Sequence, residues 1–282
     1  MGFRIKGVCA SIVLYRSDPS KLEKTLRHLR LSLETARERI GLHRTLLVVV
    51  DNTSPPFPQG SLGDMLAACG WDDARDVHEV ELIRNHGNIG FGAAHNLAIQ
   101  KHRLPFHLVL NPDVYLPADA VRLAWDYCVR HPEVVLLSPA VFNPDGGRQH
   151  LLRPLPNLCD VSLRFLAMTF PSIRRWKRYA RYECRHLDAE REHRQIPSLS
   201  GCFMWCRSEV LRSVGGFDPR FFLYYEDYDL SRRMAKAGET AYCPSIRVVH
   251  DWERLILRNW RLRYHNLRSA IRYFNKWGWK WC

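Results

Sequence analysis

The chain has 282 residues, 46% of them hydrophobic, and carries 42 Lys and Arg against 29 Asp and Glu, a formal net charge of +13. The length suits one large α/β domain or two small ones, and the apolar fraction excludes global disorder. The longest apolar runs, such as TLLVVV, fall far short of the roughly 20 residues that span a bilayer, and the charge excess asks for an anionic partner: nucleic acid, anionic lipid or a phosphorylated substrate.

Residues 8–15, VCASIVLY, form a continuous apolar run and predict a buried strand. Leu22, Leu26, Leu29, Leu33 and Ile40 then recur at helical spacing, which predicts a helix over 19–40. RTLLVVVD (44–51) predicts a second buried strand, stopped by the loop chemistry of NTSPPFP. A short helix over 61–70 and a strand over 76–84 follow, and NHGNIGFGAAHNLAIQ (85–100) is a Gly-rich turn running into a helix. A strand over 105–113, a helix over 117–131 and a strand over 133–139 continue the alternation. Residues 151–195 mix Lys and Arg with aromatics and leucines and carry no strand signal, so helices and loops are expected there. From residue 198 the texture is compact α/β again.

Strands alternating with helices indicate a mostly parallel sheet with helices on its faces, and such sheets bind ligands beyond the carboxyl ends of their strands. Polar side chains end four of the strands: Tyr15, Asp51 with Asn52, Asn85, and Asn111 with Asp113. Any one of them also suits a turn; the set suggests a site. Gly87, Gly90 and Gly92 are spaced G-x-x-G-x-G after the third strand, which argues against a dinucleotide fingerprint. They permit either close approach of a ligand or tight packing of the helix. Asp113 in LNPDV is a carboxylate just past a buried strand, and one carboxylate with phosphate oxygens can hold Mg²⁺ or Mn²⁺. The nine cysteines are scattered and form no CxxC; Cys202 and Cys206 lack a second pair at zinc-finger spacing. They read mostly as buried apolar residues of a reducing compartment.

FFLYYEDYDLSRR (221–233) sets three carboxylates among five aromatics. A helix beginning at its acidic end is favoured by the free N–H groups of the first turn. Asp229 precedes Arg232 and Arg233 by three and four residues, an intrahelical ion-pair spacing. Glu226 and Asp227 are expected ahead of the helix proper, where a partly desolvated carboxylate gains basicity towards a hydroxyl.

VVVDNTS, NHGNIGFGAAHN, LNPDV, SGCFMWCRSEVLRSVGGFDPRFFLYYEDYDLSRR and VVH, in that order, resemble the family-2 glycosyltransferases, and within them the rhamnosyltransferase-like branch of bacterial surface-polysaccharide synthesis. The resemblance runs from about residue 8 to 250. It implies a GT-A fold: residues 1–115 as the nucleotide-sugar-binding half and 116–250 as the acceptor-binding half, with a helical insertion over 151–195. It also implies an inverting, metal-dependent transfer of a sugar, rhamnose first among the choices, from a dTDP- or UDP-sugar to a hydroxyl of a lipid-linked or polysaccharide acceptor, as in O-antigen and lipopolysaccharide synthesis. By the same resemblance Tyr15, Asp51 and Asn52 meet the nucleotide, Asn85, Gly87 and Asn88 line the nucleotide or sugar pocket, and Asn111 and Asp113 bind the donor. Asp113 and His250 would hold the divalent metal (Mg²⁺ or Mn²⁺), Asp227 matches the catalytic base, and Gly201 and Glu226 face the acceptor. One departure is that the first acid of the family's D-x-D motif is Asn111 here, which removes an anionic contact to the metal.

Residues 251–282 form a basic tail. Leu257, Trp260, Tyr264, Leu267, Ile271 and Phe274 make one apolar helical face, arginines fill the others, and Trp277, Trp279 and Trp281 follow. Such a helix suits the surface of an anionic membrane, which would place the protein in the cytoplasm, peripheral on the inner face of the cytoplasmic membrane; MGFRIKGVCASIVLY, charged where the apolar core of a signal peptide would sit, agrees. Packing on the catalytic domain or a homo-oligomer face is the other use of such a stripe. Two other functions compete: a basic nucleic-acid-binding protein, for which no known module is visible, and a nucleotide-sugar-binding protein without catalysis, against which the Glu226–Asp227 pair argues.

Overall fold

The computed structural model describes residues 5–53, 57, 59–71, 78–84, 87–252 and 259–282. In chain order the elements are β1 (Gly7–Leu14), α1 (Pro19–Ile40), β2 (Arg44–Asp51), α2 (Gln59–Ala68), β3 (His78–Ile83), α3 (Phe91–Lys101), β4 (Phe106–Leu110), β5 (Val114–Tyr115), α4 (Ala120–Arg130), β6 (Val134–Phe142) and β7 (Arg148–Gln149). There follow α5 (Leu158–Thr169), a 3₁₀ turn (Pro171–Arg175), α6 (Lys177–Tyr182), β8 (His193–Arg194), β9 (Phe203–Arg207), α7 (Ser208–Ser213), α8 (Glu226–Met234), β10 (Glu239–His250) and α9 (Trp260–Trp277).

One sheet runs through these residues in the order β3-β2-β1-β4-β9-β6-β10-β5, with β7 on β6 and β8 on β10. The expected parallel run holds for β3-β2-β1-β4 and for β6 beside β10. Between them β9 is antiparallel to both neighbours, so the second half is mixed. β1 is buried on both faces, which is why it reads as a continuous apolar run. Val8, Ala10, Ile12 and Leu14 alternate towards the core shared with α1, α2 and α4, while Cys9 and Val13 pack with α3.

Helix α1 begins where Asp18 accepts the N–H groups of Ser20 (2.8 Å) and Lys21 (3.2 Å), and ends at Gly41 in the left-handed region. Residues 151–195 are largely helical, as expected, but the two-residue β8 and a bridge from Arg153 to Ser198 tie the insertion to the sheet. The cysteines depart from the sequence reading at one place. Cys159 and Cys282 form a disulfide, because the C-terminus lies along the start of α5, where the N–H groups of Leu158 and Cys159 donate to Lys280 O (2.8 Å) and Trp281 O (3.1 Å). The other seven are free thiols. Among the described residues no helix is long and apolar enough to cross a membrane.

Candidate active site

The four parallel strands end together. Tyr15, half exposed, follows β1. Asp51 closes β2 and is buried; its carboxylate accepts the N–H groups of Thr53 (3.0 Å) and Phe57 (2.7 Å), so it shapes the turn that leaves the strand. Asn52 is buried beside it, donating its side-chain N–H to Gly90 O (3.1 Å). Asn88 accepts the Gly90 N–H at 3.1 Å. Asn85 lies outside the described residues.

The glycines divide by role. A Cβ on Gly90 would stand 2.5 Å from Phe222 O, and one on Gly92 would stand 2.7 Å from the Phe217 Cβ. Both therefore serve packing: they let the 217–222 segment lie directly on the start of α3, where the Phe91 N–H donates to Phe222 O at 2.9 Å. Gly87 has a positive φ of 68° and open space around it, which leaves it free for a ligand.

Past β4, Asp113 meets His250, the last residue of β10, because β5 pairs antiparallel with β10 in the register Val114 to His250. The Asp113 Oδ1 and His250 Nε2 atoms are 3.4 Å apart. Both atoms and the Asn111 Oδ1 are buried without a hydrogen-bond partner among the described residues. Burial disfavours the charged imidazole, yet Cys202 and the Asp113 carboxylate outweigh it and push His250 up to about 10. A pocket that draws a proton so strongly is one in which a cation can take the proton's place. The imidazole is oriented from behind by Gln149, whose Oε1 faces Nδ1 at 3.1 Å and whose N–H donates to His250 O at 2.8 Å. Among the described residues no cluster of three or more His, Cys, Asp or Glu is gathered for a metal. A divalent ion held here would take one carboxylate and one imidazole from this pair and its other ligands from phosphate oxygens and water.

The acidic stretch is linked to this region through Gly201 and Cys202. Glu226 and Asp227 do not precede the helix; they are its first turn, with Tyr224 and Tyr225 before them in the left-handed region (φ 67° and 66°). Such strain in bulky residues persists only where surroundings enforce it. The Asp227 carboxylate accepts the N–H groups of Tyr228 (2.8 Å) and Gly201 (3.3 Å). Burial pushes its pKa up, while those N–H groups and the Arg164 guanidinium of α5 pull it back. Glu226 is driven well above the ordinary range by burial and by the charge of Asp227, and its Oε2 is buried and unpaired among the described residues. Burial thus raises both carboxyls, and Glu226 further because the charge of Asp227 adds to it.

The loop 199–202 ties the two sides together. Ser231 of α8 accepts the Leu199 N–H (3.1 Å), Gly201 binds Asp227, and Cys202 O accepts the Asn111 N–H (2.9 Å). Asp229 departs from the simple intrahelical pair. It bonds Arg233 (2.8 Å) as the spacing suggests, but also Trp277 Nε1 (2.8 Å) and Lys276 (2.6 Å) of α9, while Arg232 turns to the Tyr273 hydroxyl (3.3 Å). The aromatics among these carboxylates pack as well. Phe221, Tyr225 and Tyr228 are buried against Ala270, Tyr273 and Phe274 of α9, so they hold a helix.

Gln149, Cys202 and Arg164 were not anticipated. A lone cation in the apolar run LCDVSLRFLAM was a signal for Arg164; Gln149, in a two-residue strand, gave none.

No family model matches the chain. It is 31% identical over 183 residues to the N-acetylglucosaminyl-diphospho-decaprenol L-rhamnosyltransferase of Mycobacterium tuberculosis H37Rv, a match covering 61% of this chain and 58% of that relative's length. It is 26% identical over 200 residues to the rhamnosyltransferase WbbL of Escherichia coli K12, covering 66% of this chain and 70% of WbbL. Among solved structures, GalNAc-T7 with UDP, GalNAc and Mn²⁺ superposes with a TM-score of 0.62 at 15% identity, over 97% of this chain and 48% of that one. The chain has the GT-A fold and is rhamnosyltransferase-like in sequence.

Proposed function

We propose that the protein is an inverting, divalent-metal-dependent glycosyltransferase that moves a sugar, rhamnose in the first instance, from a dTDP- or UDP-sugar to a hydroxyl of a lipid-linked saccharide in surface-polysaccharide synthesis. The observation that carries this reading is the juxtaposition of two sites through one loop: Cys202 O holds Asn111 beside the Asp113–His250 pair, and the adjacent Gly201 N–H holds Asp227. Residues 1–115 serve as the donor half, 116–250 as the acceptor half with its helical insertion at 151–195, and 251–282 as the tail. The M. tuberculosis relative, by its name, acts on a diphospho-decaprenol-linked sugar, and an acceptor of that kind would place this protein at the inner face of the cytoplasmic membrane.

In this mechanism Tyr15, Asp51 and Asn52 hold the nucleotide, and Asn85, Gly87 and Asn88 line the pocket for the nucleotide or sugar. Asp113 and His250 would hold Mg²⁺ or Mn²⁺, and the ion would supply positive charge to stabilise the departing nucleoside diphosphate; Asn111, a neutral residue at the first position of the motif, would add no charge there. Asp227 takes the proton of the acceptor hydroxyl as its oxygen bonds to the anomeric carbon and the bond to the diphosphate breaks. Glu226, protonated, presents an O–H to the acceptor. Gly201 gives the acceptor side room: a Cβ there would stand 3.4 Å from the Phe91 ring and 3.5 Å from the Asp227 Cβ.

The test combines binding and turnover. Nucleoside diphosphates should raise the melting temperature more with Mn²⁺ than without, and Asp113→Ala should abolish that increment. Asp227→Asn should keep the metal-dependent shift and lose about 10²–10⁴ in turnover. Full turnover in Asp227→Asn would move the base elsewhere; no shift with any nucleotide would remove the donor site.

A further inference from the structure

Of the tail's apolar stripe, Leu257 lies outside the described residues and Phe274 is buried, while the four residues between them face outward. Along α9, Trp260, Tyr264, Leu267 and Ile271 are 71%, 54%, 51% and 42% exposed. The face that packs is a different one: Asn266, Ser269, Ala270, Tyr273 and Phe274 are buried. It is fixed to the acceptor segment by named bonds. Ser269 Oγ donates to Leu223 O (2.8 Å), the His265 ring stacks on Phe222 with centroids 4.6 Å apart, and Lys276 and Trp277 bond Asp229. The outward stripe therefore moves as one body with the segment that carries Glu226 and Asp227. Arg261, Arg268 and Arg272 follow one another along one flank of the stripe, at spacings of seven and four residues.

We infer that this outward face of α9 is a docking surface for an anionic lipid bilayer, lying in the plane of the headgroups with Trp260, Tyr264, Leu267 and Ile271 inserted and the arginine row at the phosphates. Charge complementarity selects this occupant: a stripe of aromatic and branched side chains edged by arginines, on a chain of net charge +13, is the composition of an interfacial helix. The inference deepens the proposed function, because docking through α9 would set the acceptor segment against the surface where a lipid-linked acceptor resides. Partition itself needs no catalysis, so its failure is separable from failure of the transferase reading.

The experiment is flotation of the full chain with vesicles of phosphatidylcholine alone and of phosphatidylcholine with phosphatidylglycerol, at low and high salt. Binding is expected only to the anionic vesicles and should weaken with salt. Leu267→Glu with Ile271→Glu should reduce partition by about a hundredfold, and Arg261→Gln with Arg268→Gln by about tenfold. All four side chains point outward, so nucleotide-induced thermal shifts should stay unchanged and report an intact fold. Equal binding of wild type and Leu267→Glu/Ile271→Glu would overturn the inference. So would a concentration-dependent dimer of the wild type, broken by that variant, with no vesicle binding; the stripe would then be an interface between two copies.

Discussion

The donor side and the acceptor side of this site are built by opposite means. The donor side is a set of strand ends: β1, β2, β3 and β4 run parallel, and their register alone brings Tyr15, Asp51, Asn52, Asn111 and Asp113 to one edge. The acceptor side is a left-handed Tyr224–Tyr225 turn and the first turn of α8, held from outside by α9 and from inside by the 199–202 loop. Strand ends position side chains through many cooperative backbone bonds. A strained turn needs specific side-chain partners, and removing one partner is felt at Glu226 and Asp227.

The sharpest way to break this contrast is Asp229→Ala. The carboxylate is 0% exposed and receives Arg233, Lys276 and Trp277 Nε1. Its loss strips the buried indole N–H of its acceptor and takes one partner each from Arg233 and Lys276, which keep Val214 O (2.6 Å) and Asp218 (2.7 Å), a cost of about 3 kcal/mol. Denaturant titration should show that loss, and turnover should fall further than nucleotide affinity. If nucleotide affinity falls in parallel, the two sides are a single cooperative unit.

Next is the seam between them. The Asn96 side chain of α3 donates to Phe217 O (2.7 Å) and accepts the Phe217 N–H (2.8 Å). Asn96→Ala strands both backbone groups in a buried place, about 2–3 kcal/mol by calorimetry or denaturant. Since Phe217 leads into the acceptor segment, kcat should drop while the nucleotide-induced melting shift survives.

A third effect belongs to the donor half alone. Ser11 of β1 bridges His95 Nδ1 (2.7 Å) and His107 Nε2 (2.8 Å). Burial holds both rings neutral, pushing His107 down to about 3 and His95 well below its usual value. The folded state thus binds fewer protons than the unfolded chain. Stability is full above the unfolded value of ~6.5 and falls as pH drops from there towards 3. Glu226 and Asp227, raised in the folded state, act in the opposite sense. Comparing wild type with His107→Gln therefore isolates the histidine: between pH 7 and pH 5 the variant should lose about 2 kcal/mol less.

The same contrast decides what the sequence makes legible. Strand and helix periods place β1, α1, β2 and α4 within a few residues, because each has one apolar rhythm facing one core. The convergence of strand ends follows from a parallel sheet without further knowledge. The acceptor side resists this reading. The apolar stripe on the tail reads as a membrane-facing or a packed face, but the face that packs is another, centred on the buried Asn266 and Ser269, and Ser269 finds a backbone acceptor at Leu223 O. Binary patterning cannot see a polar side chain satisfied by a distant loop. β9 is missed as an antiparallel insertion because burial on both faces gives it the same run of apolar residues as a parallel strand. Pairing of Cys159 with Cys282 depends on a contact across 123 residues that no spacing encodes.

The smallest predicted effect supplies the control for the others. Asp18 caps α1 just past the end of β1, and its side chain satisfies the Ser20 and Lys21 N–H groups. Hydrogen bonds from these and the Ser20 hydroxyl hold its pKa below the ordinary carboxylate range. Asp18→Ala leaves those N–H groups to water at a helix end, a small loss of stability, whereas Asp18→Asn keeps an acceptor and should cost less. Neither change touches the strand ends or the acceptor turn. Denaturant midpoints should therefore shift by that small amount while turnover, nucleotide shift and vesicle binding stay as in wild type. A drop in turnover comparable to that of Asn96→Ala would mean that α1 transmits strain to the site, and that the donor side's independence from its helices has been overdrawn.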